Sequence, residues 1–213
     1  MLVKICGIKT KQAADVAVRS GADFIGFVFA ESTRTIIPES AASIVKSLPT
    51  HINKVGVFVN ESIDRIIKVA ELVGLDYIQL HGDEDAAVAE RLPYKIIKAF
   101  SVEPENFLKL QSYPCDYVLL DSPKGKYRGG NGTAFDWKSV DSLSLNHDKI
   151  ILAGGLSPEN VKLAIHTVRP AGVDVSSGVE TDNKKDHDKI RSFIQEAKHT
   201  RKDDFIDNLY NAR

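Results

Sequence analysis

The sequence predicts a single closed (β/α)8 barrel, and three observations carry that expectation. Eight short apolar runs alternate with amphipathic stretches along 213 residues, a number of strand–helix units that fits the barrel near the short end of its size range. The runs are near-continuously apolar instead of alternating, as parallel strands covered on both faces are. The first run is followed by one glycine and no G-x-G-x-x-G, which leaves the open doubly wound sheet as the runner-up. With 43% hydrophobic residues and no Pro/Gly/Ser-rich linker, residues 1–213 read as one domain with a short C-terminal extension from about residue 199.

In chain order, the strand candidates are residues 2–6, 24–29, 54–59, 77–80, 96–100, 117–120, 150–153 and 172–175. Between them, Pro38 and the acidic Asp83-Glu84-Asp85 mark helix starts, where negative charge complements the helix dipole. Ile63, Ile66, Ile67, Ala70 and Val73 recur at helical steps, with Gly74 as the stop. Ser157-Pro158 reads as an N-cap and first-turn proline opening a helix with Val161, Ala164, Ile165 and Val168 on one face. Asp186 is placed to cap a last helix carrying Ile190, Phe193, Ile194 and Ala197.

Composition narrows the function. A formal net charge of -1 with scattered Lys and Arg offers no footprint for nucleic acid. No apolar run approaches the ~18 residues of a membrane span, and the N-terminus lacks a signal-peptide pattern. Only Cys6 and Cys115 are present, too few for a disulfide framework, so the expected setting is reduced and cytoplasmic. His51, His81, His147, His166, His187 and His199 show no metal-ligand spacing, and no metal is expected.

A parallel barrel collects its strand ends on one face, where its sites lie. There the chain places Cys6, Arg34, Asn60, His81, Ser101, Asp121, Gly154-Gly155 and Ser176-Ser177-Gly178. The last two groups end strands seven and eight in small residues. Their exposed amides, with a following helix N-terminus, suit a phosphate; read singly, Gly-Gly is a tight turn and Ser-Ser a helix cap. Asp121, following an apolar run, is a candidate general acid or a loop-initiating Asp bonded to its own backbone. Arg34 can hold a carboxylate by a two-pronged contact or be merely exposed. His81 reads as ordering its loop, and Cys115, at the opposite strand end, as structural. The basic, glycine-rich stretch 124–133 is a flap over an anionic substrate or a solvated loop, with Phe135-Asp136-Trp137 as its anchor.

The set in this order resembles the phosphoribosylanthranilate isomerases of tryptophan biosynthesis. The resemblance runs from Lys4-Ile5-Cys6-Gly7-Ile8 through Gln79-Leu80-His81-Gly82, Leu119-Leu120-Asp121 and Ala153-Gly154-Gly155-Leu156 to Asp174-Val175-Ser176-Ser177-Gly178-Val179-Glu180. It implies a cofactor-free Amadori rearrangement of a small phosphoribosyl substrate by a monomer or homodimer. By the same resemblance, Cys6 is the general base, Asp121 the general acid, and Arg34 faces the anthranilate carboxylate. Gly154, Gly155, Asp174, Ser176, Ser177 and Gly178 would line the phosphate pocket. Thr33, Asn131 and Asn183 depart from the family pattern in loops. The related barrel isomerase of histidine biosynthesis carries an aspartate where this chain has Cys6, which counts against it. A barrel that has lost catalysis would be expected to have lost Cys6 or Asp121, and both are present.

Overall fold

The computed structural model describes residues 1–102, 107–122, 137, 140 and 145–200. Among these, eight parallel strands close into a barrel in sequence order, β1 pairing with β8. The strands are β1 (Leu2–Cys6), β2 (Phe24–Val28), β3 (Asn53–Phe58), β4 (Tyr77–Leu80), β5 (Lys95–Ser101), β6 (Tyr117–Asp121), β7 (Ile150–Leu152) and β8 (Gly172–Val175). Every expected strand is present, its ends displaced by one residue at most.

Near-continuous apolarity has a simple cause here: both faces of each strand meet a core. Successive side chains alternate, so Val3 and Ile5 of β1 pack outward under the helices. Leu2 packs with the inner set Phe24, Val55, Tyr77, Ile97, Leu119 and Ile151. Cys6 joins Val28 and Val57 nearer the rim.

The floor of the barrel is closed by a repeated device. Asp23, Asp76 and Asp116 each precede an aromatic that opens β2, β4 or β6. Each carboxylate accepts from an amide of the preceding strand: Val3 at 2.7 Å, Lys54 at 2.8 Å and Ile96 at 2.8 Å. Each Asp amide in turn donates to the carbonyl of that same residue at 2.9 Å. The aromatics that follow meet inside the barrel, Phe24 edge-on to Tyr77 at 5.4 Å and to Tyr117 at 6.2 Å.

The described helices are α1 (Lys11–Ser20), α2 (Pro38–Val45), α3 (Ile63–Val73), α4 (Ala86–Arg91), α5 (Phe107–Ser112), α6 (Val161–Val168) and α7 (His187–His199). Pro38 opens α2 and α3 ends at Gly74. Asp186 caps α7, accepting from the amides of Asp188 and Lys189. Of two further expected starts, the acidic triplet is borne out and Ser157-Pro158 is corrected. At the acidic triplet only Asp85 caps α4, while Glu84 is turned inward. Ahead of α6, Ser157-Pro158-Glu159 forms a separate turn and the helix begins at Val161. Asn160 ties that turn back, accepting from the Ser157 amide and donating to the Gly155 carbonyl, both at 2.8 Å. Helix α1 has no counterpart in the sequence reading because its buried face is only Ala13, Ala14 and Ala17, too small to register as an apolar stripe.

After β8 the chain makes a short 3-10 turn, Ser177–Val179, and then an antiparallel hairpin of β9 (Glu180–Thr181) and β10 (Lys184–Lys185). Its turn residues Asp182 and Asn183 both have positive φ, 52° and 59°, which Asp and Asn tolerate best among non-glycine residues. The flap 124–133 and residues 135 and 136 of its anchor lie outside the described residues, as does the extension from residue 201 on. Trp137 itself packs against the outer core.

Candidate active site

The rim order places the proposed groups on one arc. Cys6 ends β1, Ser176-Ser177-Gly178 follows β8, Gly154-Gly155 follows β7, and Asp121 ends β6. The two glycine- and serine-rich loops therefore stand between the thiol and the carboxylate.

Asp121 is buried, and its two oxygens do different things. Oδ1 accepts from the Ser122 amide at 2.8 Å, the backbone bond that the sequence allowed. Oδ2 lies 3.4 Å from His81 Nε2. Behind it, Gln79 Nε2 is 2.9 Å from His81 Nδ1. With that amide donating, the ring carries its proton on Nε2, facing the carboxylate. His81 thus stands against the Asp121 carboxylate as well as its own loop.

Gly154 is what lets the end of β6 and the loop after β7 touch. A Cβ there would fall 2.4 Å from the Ser122 amide nitrogen and 3.0 Å from Asp121 Oδ1. Its φ of 77° and that of Gly155, 66°, turn the backbone into the left-handed region that glycine enters without strain. Gly178 is equally confined, since an added Cβ would sit 1.8 Å from the Leu156 carbonyl oxygen. The loops after β7 and β8 are packed backbone to backbone, the arrangement in which main-chain amides meet an anion.

On the β1–β2 side, Arg34 lies across Gly7, whose added Cβ would meet Arg34 Cδ at 2.8 Å. Its Nε and Nη2 donate to the two oxygens of Glu180, each at 2.8 Å. Glu180 also accepts from Lys185 Nζ at 2.7 Å, and Lys185 donates to the Ser176 carbonyl at 2.9 Å. The hydrogen bond to Glu180 raises the Arg34 pKa further. Burial pushes the Glu180 carboxyl up, but Arg34 and Lys185 outweigh it and hold it below the usual carboxylate range. Burial draws the Lys185 ammonium down despite Glu180. The hairpin therefore fixes the guanidinium edge-on, leaving its Nη1 side unengaged by Glu180.

Asp174 is not where the sequence placed it. It faces Lys4 in the β1–β8 register, accepts from Lys4 Nζ at 2.9 Å, and is turned into the barrel interior below Cys6. The alternation that sends Ser176 to the rim keeps Asp174 one layer beneath it.

Cys6 is 6% exposed and a free thiol. Burial pushes it above its ordinary pKa, opposed chiefly by the Lys4 charge. Cys115, by contrast, is driven by burial up to about 11, in keeping with a structural thiol at the far end of β6.

Sequence reasoning passed over Lys4, Lys98, Glu84, Glu180 and Lys185. The signal was present in two of them, since Lys4 and Lys98 interrupt otherwise apolar strands. Lys98 is 2% exposed and donates to Glu84 Oε2 at 2.8 Å. Both line a cavity of about 320 Å³ that reaches Asp121 and His81 from the β4–β6 side. Among the described residues no group of three or more His, Cys, Asp and Glu side chains could hold a metal ion. No described helix is long and apolar enough to cross a membrane.

Comparison with known proteins gives a consistent result. The family model for N-(5'-phosphoribosyl)anthranilate (PRA) isomerase matches residues 3–196. A relative of that description from Bacillus cereus (strain B4264) is 50% identical over 200 residues, 93% of this chain and 98% of the relative. Another, from Listeria welshimeri, is 48% identical over 202 residues, with the same coverage of 93% and 98%. The crystal structure of phosphoribosyl anthranilate isomerase from Thermotoga maritima aligns with a TM-score of 0.83 at 43% identity, covering 93% of this chain and 99% of that one. A further isomerase structure, with TM-score 0.81 and 41% identity over 93% and 98% of the two chains, is in complex with reduced 1-(o-carboxyphenylamino)-1-deoxyribulose 5-phosphate.

Proposed function

Because the chain belongs to the N-(5'-phosphoribosyl)anthranilate isomerase family, we propose that Cys6 is the general base and Asp121 the general acid of its isomerisation. The reaction converts N-(5-phosphoribosyl)anthranilate to 1-(2-carboxyphenylamino)-1-deoxyribulose 5-phosphate, an Amadori rearrangement in tryptophan biosynthesis. It moves protons and one pair of carbon-bound electrons within a single molecule, and it calls on no cofactor.

Asp121 protonates the ribose ring oxygen as its bond to carbon 1 breaks, and the nitrogen lone pair forms the Schiff base. That cationic C=N acidifies the hydrogen on carbon 2. Cys6, as thiolate, removes it, and the electrons pass to nitrogen to give the enolamine. The enol then loses its hydroxyl proton while carbon 1 gains one, leaving the ketone.

The observation that carries this reading is the order of groups on the rim. The close-packed loops of Gly154, Gly155, Ser176, Ser177 and Gly178 lie between Cys6 and Asp121. A ribose anchored there by its phosphate would span base and acid, and orientation of this kind is a large part of such catalysis. Arg34, presented by Glu180, is the group for the anthranilate carboxylate. We place the enzyme in the cytoplasm, a reading supported by two unpaired cysteines.

The test is turnover of freshly prepared phosphoribosylanthranilate, followed by loss of its anthranilate fluorescence. Cys6→Ser and Asp121→Asn are each expected to cut kcat by at least ~10²-fold while ligand still binds. Near-normal turnover by either variant would remove that residue from its role.

A further inference from the structure

Lys4 is among the most deeply buried large side chains of the protein, 1% exposed, and no step above uses it. It lies two residues before Cys6 on β1, so both side chains point into the barrel. The register partner of Cys6 on β2 is Gly26, and that glycine makes room for the two together. A Cβ at Gly26 would lie 2.9 Å from Cys6 Sγ and 3.2 Å from Lys4 Cε. From the other side β8 sets Asp174 opposite Lys4, with Nζ donating to Oδ1 at 2.9 Å. The carboxylate thus holds the ammonium in the layer directly beneath the Cys6 sulfur, where its charge acts on the thiol. Buried ion pairs contribute little net stability compared with apolar packing, so stability alone does not account for a lysine at this place.

We propose that Lys4 is a positioning residue for the isomerisation, its ammonium held by Asp174 near the Cys6 sulfur so that the pair sets the thiolate population of the base. This rests on the reading of Cys6 as general base. The sulfur is faced by Lys4 from its own strand, Asp174 from β8, Lys185 from β10 and Arg34 from the segment after β2. Burial works against the Lys4 charge, but Asp174 and Cys6 outweigh it and its pKa is raised. Charge at Lys4 favours the thiolate and charge at Asp174 opposes it, so removing the two partners should act in opposite directions.

The experiment is a pH titration of the Cys6 thiolate by its ultraviolet absorbance in a Cys115→Ser background, read as the difference from the Cys6→Ser, Cys115→Ser protein. The pH dependence of kcat/KM is measured alongside. Lys4→Met should raise the thiolate midpoint, cutting the thiolate population at a fixed pH below it by ~10-fold or more. Asp174→Asn should lower the midpoint and enlarge that population, and Lys4→Arg should restore most of what Lys4→Met loses. The acid limb of kcat/KM should follow each shift. A merely structural pair would not move the midpoint in opposite directions. An unmoved midpoint in Lys4→Met, or movement of both variants the same way, would overturn the proposal. Should Lys4→Met fail to fold, Asp174→Asn decides alone, and an unmoved or raised midpoint overturns it. Midpoints that shift as expected while kcat/KM does not follow would instead remove Cys6 as the base and leave the electrostatic coupling standing.

Discussion

At the residue scale, the site works by assigning separate duties to neighbouring atoms. One Asp121 oxygen is spent on the Ser122 amide and the other is kept towards His81. Arg34 is similarly divided, with Glu180 holding Nε and Nη2 and so orienting the planar fork that suits a carboxylate. On the proposed carboxylate contact, truncating it would remove a ground-state interaction made equally in the transition state. Arg34→Ala should therefore raise KM by about 10-fold or more, roughly 1.4 kcal/mol of binding, with a smaller effect on kcat. Steady-state kinetics with the same fluorescence readout checks this, and an unchanged KM would take Arg34 out of the carboxylate site.

At the element scale, the hairpin β9–β10 matters more than its four residues suggest. It carries Glu180 and Lys185 to the rim and delivers Arg34 through them. The sign of its pH dependence follows from Glu180, whose folded pKa lies below the ordinary carboxylate value because Arg34 and Lys185 outweigh burial. Its contribution is fully present above about 4.3, the unfolded value, and is lost as pH falls through the lower folded one. Denaturation midpoints measured from pH 7 downward should fall less steeply in Glu180→Gln than in the parent protein. An identical acid limb in both would show that the cluster does not contribute.

At the scale of the whole molecule, closure depends on an interior core separate from the one under the helices. Phe24 is 2% exposed and lies at the centre of the aromatic floor, edge-on to both Tyr77 and Tyr117. Helices cannot collapse into a void there because the ladder of strands stands between. Phe24→Ala should cost about 3–5 kcal/mol, the usual range for a large aromatic removed from a rigid core. Urea unfolding would reveal it, and a loss below ~1 kcal/mol would mean that the floor repacks. The same closure gives the site its circular order, since β1 reaches β8 only once all eight strands are in place.

Much of this was legible in the residues alone, for a physical reason. Strands buried on both faces must be apolar throughout, so β1 to β8 were visible from residues 2–6 to 172–175, and their C-terminal ends then named Cys6, Asp121 and the glycine loops. Patterns spread over small or charged residues left no such trace. Helix α1 buries only alanines, and the Asp-aromatic pairs at residues 23, 76 and 116 look like ordinary loop ends until their amide partners are seen. Asp174 was assigned to the phosphate pocket by the family resemblance, whereas strand alternation and the β1–β8 register turn it onto Lys4. Strand-end position marked Cys6 and Asp121 as candidates, and the family resemblance assigned them the expected roles of base and acid. Which charge meets which, Lys4 with Asp174, Glu84 with Lys98, Arg34 with Glu180, is decided only by the tertiary structure, because partners such as Lys4 and Asp174, 170 residues apart, are brought together by the closing β1–β8 register and not by sequence.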